Sequence, residues 1–358
     1  MMRNHSFAVF TFDHPTRGRT FEIKSNLFYA FPKTFNQHED RFSVSVRELA
    51  VQDLPEGEVL IKVCYSGVNY KDSLAAIPDG KIVTSYPFVP GIDLAGIVVS
   101  SDDARFKEGD KVIATSYGIG VSRFGGYSGM ARIPADWIVP LPEGLTLKEA
   151  ITIGTAGFTA ALSVRRLEEN HAAPEKGKVL VTGATGGVGS FAVSILSTLG
   201  YEVEASTGKE DESGYLKSLG AKTVIHRDEV YNGTLKPMQK QKWAAAVDPV
   251  GGEPLASVLS QIQYGGSVAV SGLTAGTKLP ATVFPFILRG VSLLGIDSVF
   301  CPMETRKKTW QRLADDFKPA DLEAFIQKEI TLEELPDTLP ALLKGEARGR
   351  TIVTINEE

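Results

Sequence analysis

The stretch Lys178-Val179-Leu180-Val181-Thr182-Gly183-Ala184-Thr185-Gly186-Gly187-Val188-Gly189-Ser190 decides the fold. It opens with an apolar, β-branched run of the kind a strand buried on both faces needs. Glycines then turn the chain sharply, and Phe191-Ala192-Val193-Ser194-Ile195-Leu196 reads as a helix start. A strand, a glycine turn and a helix N-terminus in that order make an anion site. Backbone N–H groups point outward, the helix dipole favours negative charge, and missing side chains let a pyrophosphate come close. Gly183, Gly186 (or Gly187) and Gly189 approximate the dinucleotide fingerprint, and a second strand, Glu202-Val203-Glu204-Ala205, follows at the right distance. The reading is a bound nucleotide at Thr185, Gly186, Gly187, Val188 and Gly189. The alternative is a glycine turn kept only for tight packing.

The chain has 358 residues, which favours two domains. Its net charge of −5 and lack of a dense basic run argue against a nucleic-acid partner. No apolar run approaches the length of a membrane span, and no signal-peptide pattern opens the sequence. The two cysteines, Cys64 and Cys301, are far apart, which fits free thiols in a reducing cytoplasm. They also leave no closely spaced Cys or His set for structural zinc, so no metal is expected.

Working outward, residues 1–27 read as an N-terminal extension with one short strand, Phe7-Ala8-Val9-Phe10-Thr11-Phe12. From residue 28 to about 140, short strands alternate with turns, as in an antiparallel, barrel-like domain. Residues 147–166 read as helical. After the central strand, strands and helices alternate through Thr223-Val224-Ile225, Ala244-Ala245-Ala246-Val247-Asp248, Ser267-Val268-Ala269-Val270 and Ser292-Leu293-Leu294-Gly295-Ile296. This is the pattern of a doubly wound parallel sheet. A helix near residues 335–343 and a last strand, Arg350-Thr351-Ile352-Val353-Thr354-Ile355, are expected to return to the barrel.

A barrel followed by an intact nucleotide fold resembles the medium-chain dehydrogenase/reductase superfamily, from about Phe28 to Ile355. Four motifs carry the resemblance further: Val68-Asn69-Tyr70-Lys71-Asp72, Val89-Pro90-Gly91-Ile92-Asp93-Leu94-Ala95-Gly96, Gly125-Gly126-Tyr127 and Pro285-Phe286-Ile287-Leu288-Arg289-Gly290-Val291. They are similar to the zinc-independent, quinone oxidoreductase-like branch, and within it to the bacterial acryloyl-CoA reductases. The implied fold is α/β: a GroES-like antiparallel β-barrel domain plus a doubly wound Rossmann domain. The implied limits are 28–150 for the GroES-like domain, completed by 325–358, and 151–324 for the Rossmann domain. Where the superfamily's zinc enzymes carry a Cys and later a Gly-His-Glu, this chain has Asn69-Tyr70-Lys71-Asp72 and Gly91-Ile92-Asp93. Without a Lewis acid, alcohol oxidation is disfavoured, whereas an activated C=C bond or a quinone needs only hydride and a proton.

The 2′-substituent of the cofactor is read after the second strand, where Ser206-Thr207-Gly208-Lys209 offers hydroxyls and an ammonium suited to a phosphate. NADPH is therefore expected. If the strand ends earlier, Glu204 becomes a ribose acceptor and the preference moves to NADH. The resemblance brings Arg227 to the phosphate–adenine end, with Lys236 a weaker candidate. It brings Leu273, Ile287 and Ser298 to the nicotinamide end through backbone groups. It makes Tyr70 the tyrosine lining the nicotinamide and substrate site, where a phenol can donate a hydrogen bond or a proton. Asn69 is an alternative donor, Asp72 a loop anchor and Asp93 a structural carboxylate. Thr155, Ala156 and Thr159 are expected on the floor of the cofactor site, and Arg123 or Arg289 at its mouth to meet coenzyme A phosphates. Neither cysteine and none of the five histidines is assigned a role. The expected activity is NADPH-dependent reduction of acryloyl-CoA or a related 2-enoyl-CoA. A quinone reductase is the alternative, and a non-catalytic NADPH-binding redox sensor a more distant one. A homodimer is implied by the resemblance.

Overall fold

The computed structural model describes residues 7–13, 41–47, 49–77 and 79–358. Of the expected N-terminal extension only Phe7–Asp13 lies within them. It forms strand β1, which pairs antiparallel with β2 (Arg41–Arg47). The contacts divide the chain into two units. One holds the described residues up to Thr155 together with Ile326–Glu358, the other Ala156–Phe325.

In the first unit β3 (Val59–Gly67), β4 (Asp93–Ser101) and β5 (Lys111–Thr115) form an antiparallel run. The short strands β6 (Met130–Ile133) and β7 (Ile138–Pro140) extend it from β3 and β5. Val59, Ile61 and Val63 alternate along β3 and are fully buried against Leu94, Val112 and Ala114. That is the period-two pattern of a strand with one face in a core. Between β3 and β4 stands a six-residue helix, α1 (Tyr70–Ala75). The longer α2 (Leu147–Glu169) is kinked at Gly154, whose φ of 51° and ψ of −159° leave the helical region. The division between the units falls at this kink.

The second unit begins with β8 (Val179–Val181), whose three side chains are all buried. Then come α3 (Gly187–Thr198), β9 (Val203–Thr207), α4 (Ser213–Ser218), β10 (Thr223–His226), β11 (Trp243–Asp248), α5 (Gly252–Gln261), β12 (Ile262–Val270), α6 (Phe284–Arg289), β13 (Ser292–Gly295) and α7 (Met303–Ala314). The strands form one parallel sheet in the order β10-β9-β8-β11-β12-β13. The order reverses direction between β8 and β11, the switch point at which such sheets bind ligands beyond their carboxyl ends.

The chain then returns to the first unit as β14 (Ile326–Ile330), α8 (Leu335–Leu343) and β15 (Arg350–Thr354). Strand β15 pairs antiparallel with β3, Ile352 opposite Gly67. One pair in the otherwise antiparallel sheet of this unit departs from that pattern. Strands β14 and β15 are parallel, because α8 supplies the crossover that a parallel pair requires. Among the described residues no helix is long and apolar enough to cross a membrane.

Candidate active site

The glycine turn lies directly after β8. Gly183 has a φ of +52°, and its carbonyl accepts the Gly186 N–H at 3.0 Å. Gly186 then caps α3 with no side-chain partner. The first amides of the helix, at Gly187, Val188 and Gly189, have no carbonyl one turn earlier and stay available to an anion. The glycines differ in what they do. A Cβ on Gly189 would stand 2.4 Å from the Gly183 oxygen, so that glycine lets helix and turn touch. A Cβ on Gly186 would meet only the Gly183 oxygen, at an ordinary 3.4 Å. The bare backbone at Gly186 is therefore not demanded by packing, and it leaves room for a phosphate.

Strand β9 runs on to Thr207, and this changes the reading of Glu204. The Glu204 carboxylate is largely buried near the start of the strand. It accepts the indole N–H of the fully buried Trp243 at 2.7 Å and the Lys178 ammonium at 3.0 Å. Both of its oxygens are engaged away from the strand's end. What the end presents is Ser206, Thr207, Gly208 and Lys209. Thr207 Oγ1 accepts the Lys209 backbone N–H at 3.0 Å and lies 3.5 Å from Thr185 Oγ1 on the glycine turn. The Arg227 side chain crosses Gly208, where a Cβ would stand 2.9 Å from Arg227 Nε. Its guanidinium is three-quarters exposed, and Asp228 reaches it only at 4.0 Å. A cation, two hydroxyls and the glycine turn thus share one edge of the sheet. These residues fit a dinucleotide with a 2′-phosphate. Lys236 lines a small hollow with Leu235, Pro280 and Pro285.

At the carboxyl ends of β12 and β13 an open hollow of about 540 Å³ is lined by Ser271, Gly272, Leu273, Ile296 and Asp297, among others. The Ser271 hydroxyl is buried there without a hydrogen-bond partner. Leu273 and Ile287 are both exposed, but Ile287 stands on α6 and does not line the hollow. The Ser298 carbonyl is held by the buried Arg306 at 2.9 Å.

In the first unit Tyr70 is the first residue of α1 and 41 % exposed, an accessible phenol. The polar residues beside it are committed. Asn69 donates to Asp93 at 2.8 Å and to the Gly67 carbonyl at 3.3 Å, while its oxygen accepts from Arg350 at 3.1 Å, which uses up its capacity as an alternative donor. Asp93 is also bound by the Thr155 N–H at 3.0 Å and by the Thr155 hydroxyl. Arg350, buried in β15, donates to the carbonyls of Val68 and Thr152. Sequence reasoning missed this arginine; the signal was a lone cation opening an apolar strand. Ala156 and Thr159 are buried within α2.

The two arginines expected to meet coenzyme A also have partners within the chain. Arg289 donates to the carbonyls of Ser260, Ile262 and Gln239, at 2.9, 3.1 and 2.6 Å, and so ties the end of α5 to α6. Arg123 donates to the Glu56 carbonyl and lies 5.6 Å over the Trp137 ring.

The alcohol dehydrogenase GroES-like domain family matches residues 55–143, and the zinc-binding dehydrogenase family matches residues 187–315. YhfP of Bacillus subtilis, whose name assigns it provisionally to the quinone oxidoreductases, is 60 % identical over 92 % of this chain and 100 % of its own length. The chain belongs to the medium-chain dehydrogenase/reductase superfamily. The acrylyl-CoA reductase AcuI of Ruegeria pomeroyi is 49 % identical, over 92 % of this chain and all of that protein. The crystal structure of YhfP, solved with NAD bound, superposes with a TM-score of 0.86 at 61 % identity and covers 87 % of this chain and 95 % of that one. That of YhdH from Escherichia coli K-12, solved with bound NADPH, has a TM-score of 0.86 at 46 % identity and covers 90 % and 98 %. One of the matching families takes its name from zinc. Among the described residues of this superfamily member, no group of three His, Cys, Asp or Glu could hold a metal ion. Asp93 is bound by Asn69, Thr155 and Arg350, and Cys64 is buried. The described residues do not fit a zinc site.

Proposed function

We propose that this protein is an NADPH-dependent reductase of activated C=C bonds that works without zinc on acryloyl-CoA or a related small 2-enoyl-CoA. The observation that carries the reading is the end of β9. Glu204 is engaged by Trp243 and Lys178, and Thr207, Lys209 and Arg227, which stand at and after the end of the strand, would receive the 2′-phosphate. Thr185, Gly186, Gly187, Val188 and Gly189 would hold the pyrophosphate on backbone amides. Leu273, Ile287 and Ser298 would contact the nicotinamide end. Bound NADPH would supply hydride to the β-carbon of the acceptor. The Tyr70 phenol would give its proton to the α-carbon of the resulting enolate and be reprotonated from water, or would hydrogen-bond the thioester oxygen while water supplies that proton. The 49 % identity to a protein named acrylyl-CoA reductase supports the thioester. The provisional quinone oxidoreductase name of YhfP favours the second reading, a quinone acceptor on the same scaffold.

A homodimer and a cytoplasmic location belong to the same proposal. Strand β13 is an edge of its sheet, Ile287, Leu288 and Phe300 are exposed, and both cysteines are free thiols. The test is NADPH oxidation with acryloyl-CoA, crotonyl-CoA, a quinone and an enal, repeated with NADH. Turnover of the thioesters with NADPH is expected. In Arg227→Ala the KM for NADPH should rise about tenfold with that for NADH unchanged, the loss of one charge-assisted contact. Turnover of quinones alone selects the second reading. No turnover of any acceptor sinks both.

A further inference from the structure

Asp72 is fully buried, and its two oxygens gather three backbone amides from two separate segments. The Asn69 N–H reaches it at 2.9 Å, Gly91 at 3.2 Å and Ile92 at 3.0 Å. Asn69 is the N-cap of α1 and Tyr70 is its first residue. The same carboxylate therefore closes the first turn of the helix that presents Tyr70 and ties that turn to the Gly91–Ile92 loop. The loop is independently stiff. Gly91 has a φ of +102°, a Cβ on it would meet the Tyr127 nitrogen at 2.7 Å, and its carbonyl accepts the Gly126 N–H at 2.8 Å. Helix α1, with six residues, is too short to hold its own geometry.

We propose that Asp72 is a positioning residue for the reduction: its carboxylate fixes the backbone that aims the Tyr70 phenol. The inference rests on Tyr70 as the proton donor. Three groups face Asp72 from the surrounding elements: Asp93 on β4, Tyr127 on the loop before β6, and Arg350 on β15. Burial, and after it the charge of Asp93, push the Asp72 carboxyl up to about 7; the amides of Ile92 and Asn69 and the Tyr127 hydroxyl pull the other way. Once protonated, the group must place a hydrogen of its own among three donors, and the clamp loosens. The Tyr70-dependent part of kcat therefore falls with pH below about 7.

The experiment is a double-mutant cycle on kcat with crotonyl-CoA and NADPH, using wild type, Tyr70→Phe, Asp72→Asn and the double variant. Asp72→Asn should lower kcat at least about tenfold in the wild-type background and less than about twofold in Tyr70→Phe. NADPH affinity, read by fluorescence titration, should change less than about twofold, since the glycine turn is untouched. Equal losses in both backgrounds overturn the positioning role. An undiminished kcat in Tyr70→Phe removes the Tyr70 reading itself, and with it this one, so the two failures are told apart. If Asp72→Asn does not fold, the wild-type and Tyr70→Phe pH profiles decide. A limb near pH 7 that is present in wild type and absent in Tyr70→Phe supports the proposal. A limb kept in Tyr70→Phe overturns it.

Discussion

Glu204 sits three residues before the end of β9, and its partners determine what it can do. Trp243 Nε1 is a buried donor with that carboxylate as its acceptor at 2.7 Å. Glu204→Ala therefore strands the indole N–H and unpairs Lys178. Stability should fall by about 1–3 kcal/mol, read by denaturant unfolding. The NADPH-to-NADH ratio of kcat/KM should stay within about twofold, because a residue that does not touch the ribose cannot move it. A large shift in that ratio would return Glu204 to the ribose. The sequence left this residue open because its partner lies 39 positions away. The same blindness applied to Asn69 and Arg289, whose side chains look free in the sequence and are engaged by groups 281 and up to 50 residues distant. Local chemistry was legible where it was carried by adjacent residues, as in Ser206-Thr207-Gly208-Lys209.

At the scale of elements, the turn between β8 and α3 separates packing from binding. Gly186→Ala places its Cβ at 3.4 Å from one carbonyl oxygen and no closer to anything else. It should cost less than about 1 kcal/mol in thermal unfolding. NADPH affinity should fall at least about tenfold, since the methyl takes space a phosphate needs. Unchanged affinity would move the pyrophosphate elsewhere. The six parallel strands were legible because buried apolar runs alternate with helical segments stopped by Gly200 and Gly220. Helices α1, α6 and α7 and strands β6, β7 and β14 were not. Strands β6 and β7 have four and three residues, too few to show a period. Helix α7 buries Arg306, Thr309, Trp310 and Leu313, and the leading arginine hides its apolar stripe. Helix α1 is held by a carboxylate clamp that no periodicity reports.

For the molecule as a whole, two buried carboxyls set the response to pH. Burial raises both Asp72, to about 7, and Asp248, whose oxygens take the amides of Val250 and Gly251 and the Thr182 hydroxyl. A carboxyl raised above its unfolded value stabilises the fold fully below that value and loses this contribution as pH climbs through the folded one. The ion-paired Asp103, Glu304 and Glu329 are lowered and act in the opposite sense, at more acid pH. Thermal unfolding should therefore show a lower midpoint at pH 7 than at pH 5. A midpoint that rises steadily across that interval would contradict the burial of Asp72. Arg350 carries a last consequence. It opens β15 yet binds backbone groups at Val68 and Thr152, and β15 itself completes the sheet beside β3. During synthesis the first lobe to leave the ribosome must wait, open along one edge, while the entire nucleotide-type lobe is made and folds ahead of it. Its closure rests on contacts between residues at least 198 positions apart in the chain.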